Sequence, residues 1–257
     1  MRVTVLGCGG AGGVPTIGYG WGNCDPTNPR NRRRRPGILI EHGATKILVD
    51  TPPDLREQLL EAAVQRLDAV VYTHDHADHV HGIDDLREIN RIMRAPIEVF
   101  AGPETLKGIT SRFGYAFTPH DLSKYPIYKP WLLAREIGGS FGIDGLEVVP
   151  FEQDHGYMTS LGFRIGSMAY STDVLRLSEE ALAVLEGVPL WLVDCFTDRE
   201  HFTHSHIAQT LDWIRRVRPG RAVLTHMGPR LDYDQLRAQL PPGVEPAYDG
   251  MVLELPD

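Results

Sequence analysis

The chain has 257 residues, with 26 Lys and Arg against 34 Asp and Glu, for a formal charge of −8, and 42% of its residues are hydrophobic. A chain this long buries roughly 70–75% of its unfolded surface without disulfide staples, and its three cysteines are too few and odd in number to form a disulfide framework. No apolar run approaches the ~20 residues of a membrane span, the six residues before the first glycine are too few for a secretory core, and the acidic balance argues against a protein that coats nucleic acid, so the expected compartment is the cytoplasm.

Strand and helix patterns alternate along the chain. A first strand, Val3 to Leu6, opens into a loop near 7–37 that holds Gly7, Gly9, Gly10, Gly12, Gly13, Gly18, Gly20 and Gly22, then Arg30 and Arg32 to Arg35. Strands Ile38 to Glu41 and Lys46 to Val49 flank the turn signal His42-Gly43-Ala44-Thr45. Apolar residues spaced by three and four predict helices over Leu55 to Val64 and Asp84 to Met93, on either side of a strand at Ala69 to Tyr72. After strand Ile97 to Phe100, the segment near 112–131 carries Phe113, Tyr115, Phe117, Tyr125, Tyr128 and Trp131 between prolines, and is expected as an irregular aromatic insert forming a lid or pocket wall. Strands follow at Leu146 to Phe151, Leu161 to Ile165, Met168 to Ser171, Leu190 to Val193, Ala222 to Leu224 and Val252 to Leu255, with helices at Ser178 to Leu185, Ile207 to Val217 and Asp232 to Gln239. No linker or repeat interrupts the pattern, so 1–257 is expected as one domain of α/β or α+β class, two sheets between helical layers.

Eleven histidines are many for this length, and their placement carries the chemistry. Strand Ala69-Val70-Val71-Tyr72 runs directly into Thr73-His74-Asp75-His76-Ala77-Asp78-His79. Alternate residues of an extended chain leave on the same side, so such a loop aims several imidazoles and carboxylates at a common point. Those are ligand types for zinc, manganese or iron.

This H-x-H-x-D-H loop resembles the signature of the metallo-β-lactamase superfamily, over essentially the whole chain. The resemblance implies a four-layer αββα sandwich and a hydrolase with two divalent ions, zinc or manganese, with iron as a further candidate. Carried over position by position, His74, His76 and His155 would hold one ion, Asp78, His79 and His226 the other, and Asp173 would bridge them. His155, Asp173 and His226 each follow an apolar strand in this sequence. Asp50, which ends Ile47-Leu48-Val49-Asp50, would orient a ligand imidazole through a hydrogen bond.

Gly7-Cys8-Gly9-Gly10-Ala11-Gly12-Gly13-Val14-Pro15, together with Thr203-His204-Ser205, is similar to the phosphodiesterase branch of that superfamily: the cyclic ribosyl phosphate phosphodiesterases and, more distantly, the tRNA 3′-end nucleases. His204 would then stand beside the ions and contact the scissile phosphate or protonate the leaving oxygen, with Asp173 as its catalytic companion; His201 and His206 flank it. The bland alternative is a helix cap built on Ser205. The expected reaction is attack of a metal-activated hydroxide on a small phosphodiester, cyclic ribosyl or nucleotide. Thioester, lactone or lactam hydrolysis and a tRNA 3′-end nuclease activity stay open. Gly7 to Gly12 also fits G-x-G-x-x-G, but Gly13-Val14-Pro15 cannot start the helix that a dinucleotide site requires. Cys24 is the one cysteine in the 21–26 loop, so the extra thiolate-bound zinc of some relatives is not expected; Cys8 and Cys195 are read as small buried residues. The arginine run is left as solvated surface, a contact between copies in a homodimer, or a guanidinium on substrate phosphate. His42, His81 and His120 are read as surface or core residues.

Overall fold

Neighbouring residues of a strand face opposite ways, and in Ile38-Leu39-Ile40 and Ile47-Leu48-Val49 both faces are apolar, so these strands need cover on two sides. A computed structural model, describing residues 1–256, supplies both covers. The strands are β1 (Arg2–Gly7), β2 (Gly37–His42), β3 (Thr45–Val49), β4 (Ala69–Val71), β5 (Ile97–Ala101) and β6 (Leu132–Glu136), then β7 (Phe141–Ile143), β8 (Leu146–Asp154), β9 (Thr159–Ile165), β10 (Met168–Ser171), β11 (Arg176–Leu177), β12 (Leu190–Asp194), β13 (Arg221–Thr225), β14 (Val244–Pro246) and β15 (Val252–Glu254). One sheet has the order β15-β1-β2-β3-β4-β5-β6; the other runs β11-β8-β9-β10-β12-β13-β14, with β7 paired to β8. The helices are α1 (Leu55–Glu61), α2 (Ala77–Val80), α3 (Leu86–Met93), α4 (Pro103–Phe117), α5 (Glu179–Leu185), α6 (Ile207–Val217) and α7 (Tyr233–Gln239).

The two phases of each strand go to two cores. Ile38, Ile40, Ile47, Val49, Ala69 and Val71 are buried in one cluster with Phe163, Ile165, Tyr170 and Trp191 of the second sheet. Leu39, Leu48, Val70 and Tyr72, one residue out of phase, are buried with Leu55, Leu59, Leu86, Ile89 and Ile109 of α1, α3 and α4. Leu182 and Leu185 of α5, with Trp213, Ile214 and Val217 of α6, cover the second sheet. The expected sandwich of two sheets within helical layers is thus the observed one, and each of these large aliphatic side chains contributes about 1.5–3 kcal/mol by leaving water. Among the described residues, no helix is long and apolar enough to cross a membrane.

Two sequence expectations are corrected. The stretch read as irregular from residue 112 is helical to Phe117, because α4 continues through a break at Phe113 (φ −122°, ψ 32°). Gly108 and Gly114 weaken its helical signal, while burial of Thr105, Ile109 and Ala116 holds it in place. Beyond α4, the segment to Trp131 is tied down by Arg91, whose Nε donates to Ile127 O at 2.7 Å, and by Asn90, which donates to Trp131 O at 3.0 Å and accepts from Trp131 N at 2.9 Å. The second correction is to the solvated option for the arginine run, whose members find partners within the chain. Arg33 is buried, donating to Leu231 O at 2.7 Å and Gly228 O at 3.2 Å. Arg34 pairs with Asp249 and Glu61, Arg35 with Asp54. Arg30 lies over the rings of Tyr233 and Tyr248, and Arg32 over Trp21. The run fastens the glycine loop to the 228–231 and 233–249 segments. Arg33→Met leaves two buried carbonyls without their charged donor and is expected to lower unfolding stability by about 2–4 kcal/mol, read from the urea midpoint; an unchanged midpoint would refute that fastening role.

Candidate metal centre

β3 and β4 run parallel to each other, as do β10, β12 and β13, and β8 runs the same way as β10 because both pair antiparallel with β9. Their carboxyl ends therefore open on one edge of the sandwich, the usual place for a site in such sheets. Every candidate falls there: Asp50 after β3, His74 to His79 after β4, His155 after β8, Asp173 after β10 and His226 after β13. Asp50, Asp173 and His226 take φ of 64°, 55° and 56°, a left-handed bend that non-glycine residues adopt at some cost and that surrounding structure must enforce.

The seven candidate ligands meet in two sets that share Asp173. In the first, His155 Nε2 stands 3.4 Å from His76 Nδ1 and 3.5 Å from Asp173 Oδ1, which is 3.9 Å from His74 Nε2. In the second, Asp173 Oδ2 is 3.0 Å from His79 Nε2 and 3.3 Å from His226 Nε2, with Asp78 Oδ2 at 3.3 Å and 3.7 Å from the same two nitrogens. Atoms that share an ion at about 2.0–2.2 Å stand roughly 3.0–3.6 Å apart; most of these separations have that spacing, and the 3.9 Å and 3.7 Å pairs are slightly wider. His74 Nε2, Asp78 Oδ2, His79 Nε2 and His226 Nε2 are buried without any hydrogen-bond partner. A divalent cation fits that donor set.

Outer contacts fix which nitrogen faces inward. Asp50 accepts from Thr73 N at 2.9 Å and Thr73 Oγ1 at 2.9 Å. Since that hydroxyl proton goes to the carboxylate, Thr73 Oγ1 must accept from His74 Nδ1, 3.0 Å away, which leaves the His74 Nε2 lone pair free. His79 Nδ1 lies 2.7 Å from Asp50 Oδ2, and His155 Nδ1 donates to Thr203 O at 2.7 Å, with the same consequence for their Nε2 atoms. Burial pushes His74 well below its usual range, helped by the His79 charge, and burial also lowers His155; both are neutral and able to ligate. Burial alone would raise Asp173, yet the His226, His79 and His74 charges hold its carboxyl well below the usual range. Against burial, Asp173, Asp78 and Asp50 raise His79, and Asp173, Asp78 and Asp194 raise His226. Carboxylates that hold a proton there would hold an ion in its place, with release of that proton.

His204 stands on the open side. Its ring stacks on His226 at 4.8 Å between centroids and lies 4.7 Å from Phe196, with Nδ1 3.8 Å from Asp173 Oδ1 and 3.5 Å from Asp194 Oδ2. Of its flanking histidines, His201 lies 5.2 Å from the His204 ring, while His206 N-caps α6. Ser205 does not cap the helix: its Oγ donates to Asp194 O at 2.6 Å and its N to Asp194 Oδ2 at 3.2 Å. Asp194 escaped the sequence reading. Buried at the end of β12, it also accepts from Val174 N and stands 3.6 Å from His226 Nδ1. Like Asp50, it ends an apolar strand, but Asp50 is assigned through the family resemblance, and that pattern alone does not mark a site residue. The glycine loop does run close to the centre, since a Cβ on Gly10 would overlap the Phe196 ring and stand 3.5 Å from His226 Cε1.

The family described as beta-lactamase superfamily domain matches residues 45–227. An octanoyltransferase of Porphyromonas gingivalis strain W83 is 34% identical over 254 residues, 98% of this chain and 51% of that protein. A ribonuclease Z of Bradyrhizobium sp. strain ORS 278 is 38% identical over 167 residues, 62% of this chain and 52% of that protein. The chain thus spans about half the length of these two curated relatives. Among solved structures, one described as a new diphosphatase from the PhnP family is similar with a TM-score of 0.91 at 30% identity, over 99% of this chain and 98% of that one.

Asp50→Ala removes the acceptor that fixes Thr73 and His79. Metal affinity is expected to fall about 10–100-fold with the fold retained, measured by titration against a competing chelator; wild-type affinity would show that the outer carboxylate does not tune the site.

Proposed function

The chain belongs to the β-lactamase superfamily, and on that premise we propose that it is a binuclear metal-dependent hydrolase that cleaves a small phosphodiester, cyclic ribosyl or nucleotide. His74, His76 and His155 would hold one ion, Asp78, His79 and His226 the second, and Asp173 would serve both through its two oxygens. Zinc or manganese suits this nitrogen and carboxylate set, with iron as a further candidate. When bound, two such ions lower the pKa of water and neutralise charge on phosphoryl oxygens.

The protein side chains do the remaining work. Asp50, Thr73 and Thr203 hold imidazole tautomers, so the ligand lone pairs need no reorganisation as charge develops. Asp194 anchors the Ser205 backbone beside His204 and faces His226. His204 would contact the phosphoryl group or pass a proton to the departing oxygen, and Phe196, packed against the His204 and His226 rings, shields that transfer from water. The product is a phosphomonoester.

The observation that carries this reading is His204: an imidazole with only 12% of its side chain exposed, its Nδ1 without a hydrogen-bond partner, next to the shared Asp173. The similarity to a protein described as a diphosphatase and to a ribonuclease Z supports it. The match to an octanoyltransferase favours an acyl substrate instead, so a thioester belongs in the assay beside a lactone and a lactam. A tRNA 3′-end nuclease would need a basic arm, and the chain carries a charge of −8.

His204→Ala is expected to keep both ions yet lower phosphodiester hydrolysis by roughly 10²–10⁴-fold. The loss should shrink for a nitrophenolate leaving group, which needs little proton donation, and a uniform loss would leave only the phosphate contact. Undiminished activity on every phosphodiester, with metal content intact, would remove His204 from the mechanism; turnover of the thioester alone would replace the phosphodiester reading with the acyl one.

A further inference from the structure

The histidine loop is gripped from outside the centre by α4. Arg112, directly before the break at Phe113, donates from Nη2 to Asp75 O at 2.6 Å and to Asp75 Oδ2, and from Nε back to Gly108 O at 3.1 Å. Gly108 leaves room for this contact, since a Cβ there would overlap Asp75 Oδ2. The same helix holds the loop's continuation at two more points: the Phe113 ring packs edge-on against His81 at 5.7 Å, and Tyr115 OH donates to Asp84 Oδ1 at 2.9 Å.

Asp75 lies between the buried His74 and His76, the one exposed member of the seven candidate ligands. His74, His79 and His155 each have their outward nitrogen fixed by a hydroxyl, a carboxylate or a carbonyl, and His226 faces Asp194. His76 has no such partner among the described residues; its polar contact is inward, to His155 Nε2 at 3.4 Å. With no outer hydrogen bond to fix the ring, which packs edge-on against His74 and His155 on its inner side, its placement depends on the backbone just before it. We propose that Arg112 is the positioning residue of His76: it fixes the Asp75 carbonyl and carboxylate, and so completes the ion site formed with His74 and His155. Arginine suits the task because its planar fork grips two acceptors at once. An ion pair as exposed as this one adds little to global stability, so its effect falls on the loop it orients. The proposal rests on the two-ion reading of the site and on no choice of substrate.

The test is a titration of metal-free wild type, Arg112→Ala and Gly108→Ala with Co²⁺ and with Zn²⁺, following the Co²⁺ absorption bands and competition with a chromophoric chelator, beside the melting temperature of each metal-free protein. One ion is expected to bind about 10–100-fold more weakly in both variants while the other keeps wild-type affinity. Gly108→Ala raises helix propensity but drives its Cβ into the Asp75 carboxylate, so its metal-free melting temperature separates a displaced loop from a destabilised α4, and it serves as the test should Arg112→Ala fail to fold. Wild-type affinity for both ions in Gly108→Ala, or in a folded Arg112→Ala, would overturn the proposal. So would an equal loss at both sites accompanied by a lowered metal-free melting temperature, which would make the contact purely structural. A wild type that takes up no ion would instead overturn the two-ion reading itself, before any variant is compared.

Discussion

Four ligand-type atoms buried without a hydrogen-bond partner, gathered around the shared carboxylate of Asp173, are the constraint on which the site is built. Leaving such atoms unpaired in a protein interior costs roughly 1–3 kcal/mol each, more where charge is involved. The surrounding structure does not relax to pair them. Asp50, Thr73 and Thr203 engage the opposite nitrogens of the histidines and turn the free lone pairs inward. The left-handed bends at Asp50, Asp173 and His226 point the same way, since backbone strain at three strand ends persists only where packing over-determines it.

Packing does so here because the strand ends are fixed from both sides. The first sheet lies between a helical layer and the second sheet, so β3 and β4 cannot slide without exposing one of two apolar faces. The glycine loop closes over the rim: its Gly9 bridges Met227, Cys8 O accepts from Met227 N at 2.7 Å, and Arg33 crosses to Gly228 and Leu231. His226 is thereby held between a sheet edge and a loop that a side chain on Gly10 would push away. Rigid elements thus supply the precision that the proposed electrostatic catalysis would require, while His76 and His204 remain on the accessible side.

Much of this was legible in the sequence. The apolar runs located eleven strands to within a few residues, since buried strands have strong β-branched signals, and H-x-H-x-D-H placed the centre behind β4. Weak local signals account for the rest. β6, with four of its five residues exposed, and the short β7, β11 and β14 bury too little to show a pattern. α4 carries two glycines and aromatic residues that read as loop, and only tertiary burial makes it a helix. The arginine run looks like a solvated patch because its partners Asp249 and Leu231 lie about two hundred positions away in sequence. Asp194 had the same strand-end signature as Asp50, but a lone carboxylate after an apolar strand carries no mark of the imidazoles it will face.

The proposed function requires two ions, which Asp173 would share. The most direct measurement is anomalous diffraction at the absorption edge of the bound metal, from crystals of fully loaded protein. Two peaks are predicted, one about 2.0–2.2 Å from nitrogens of His74, His76 and His155 and the other at the same distance from His79, His226 and Asp78. A single peak, or none within reach of Asp173, would contradict the binuclear centre and the mechanism built on it.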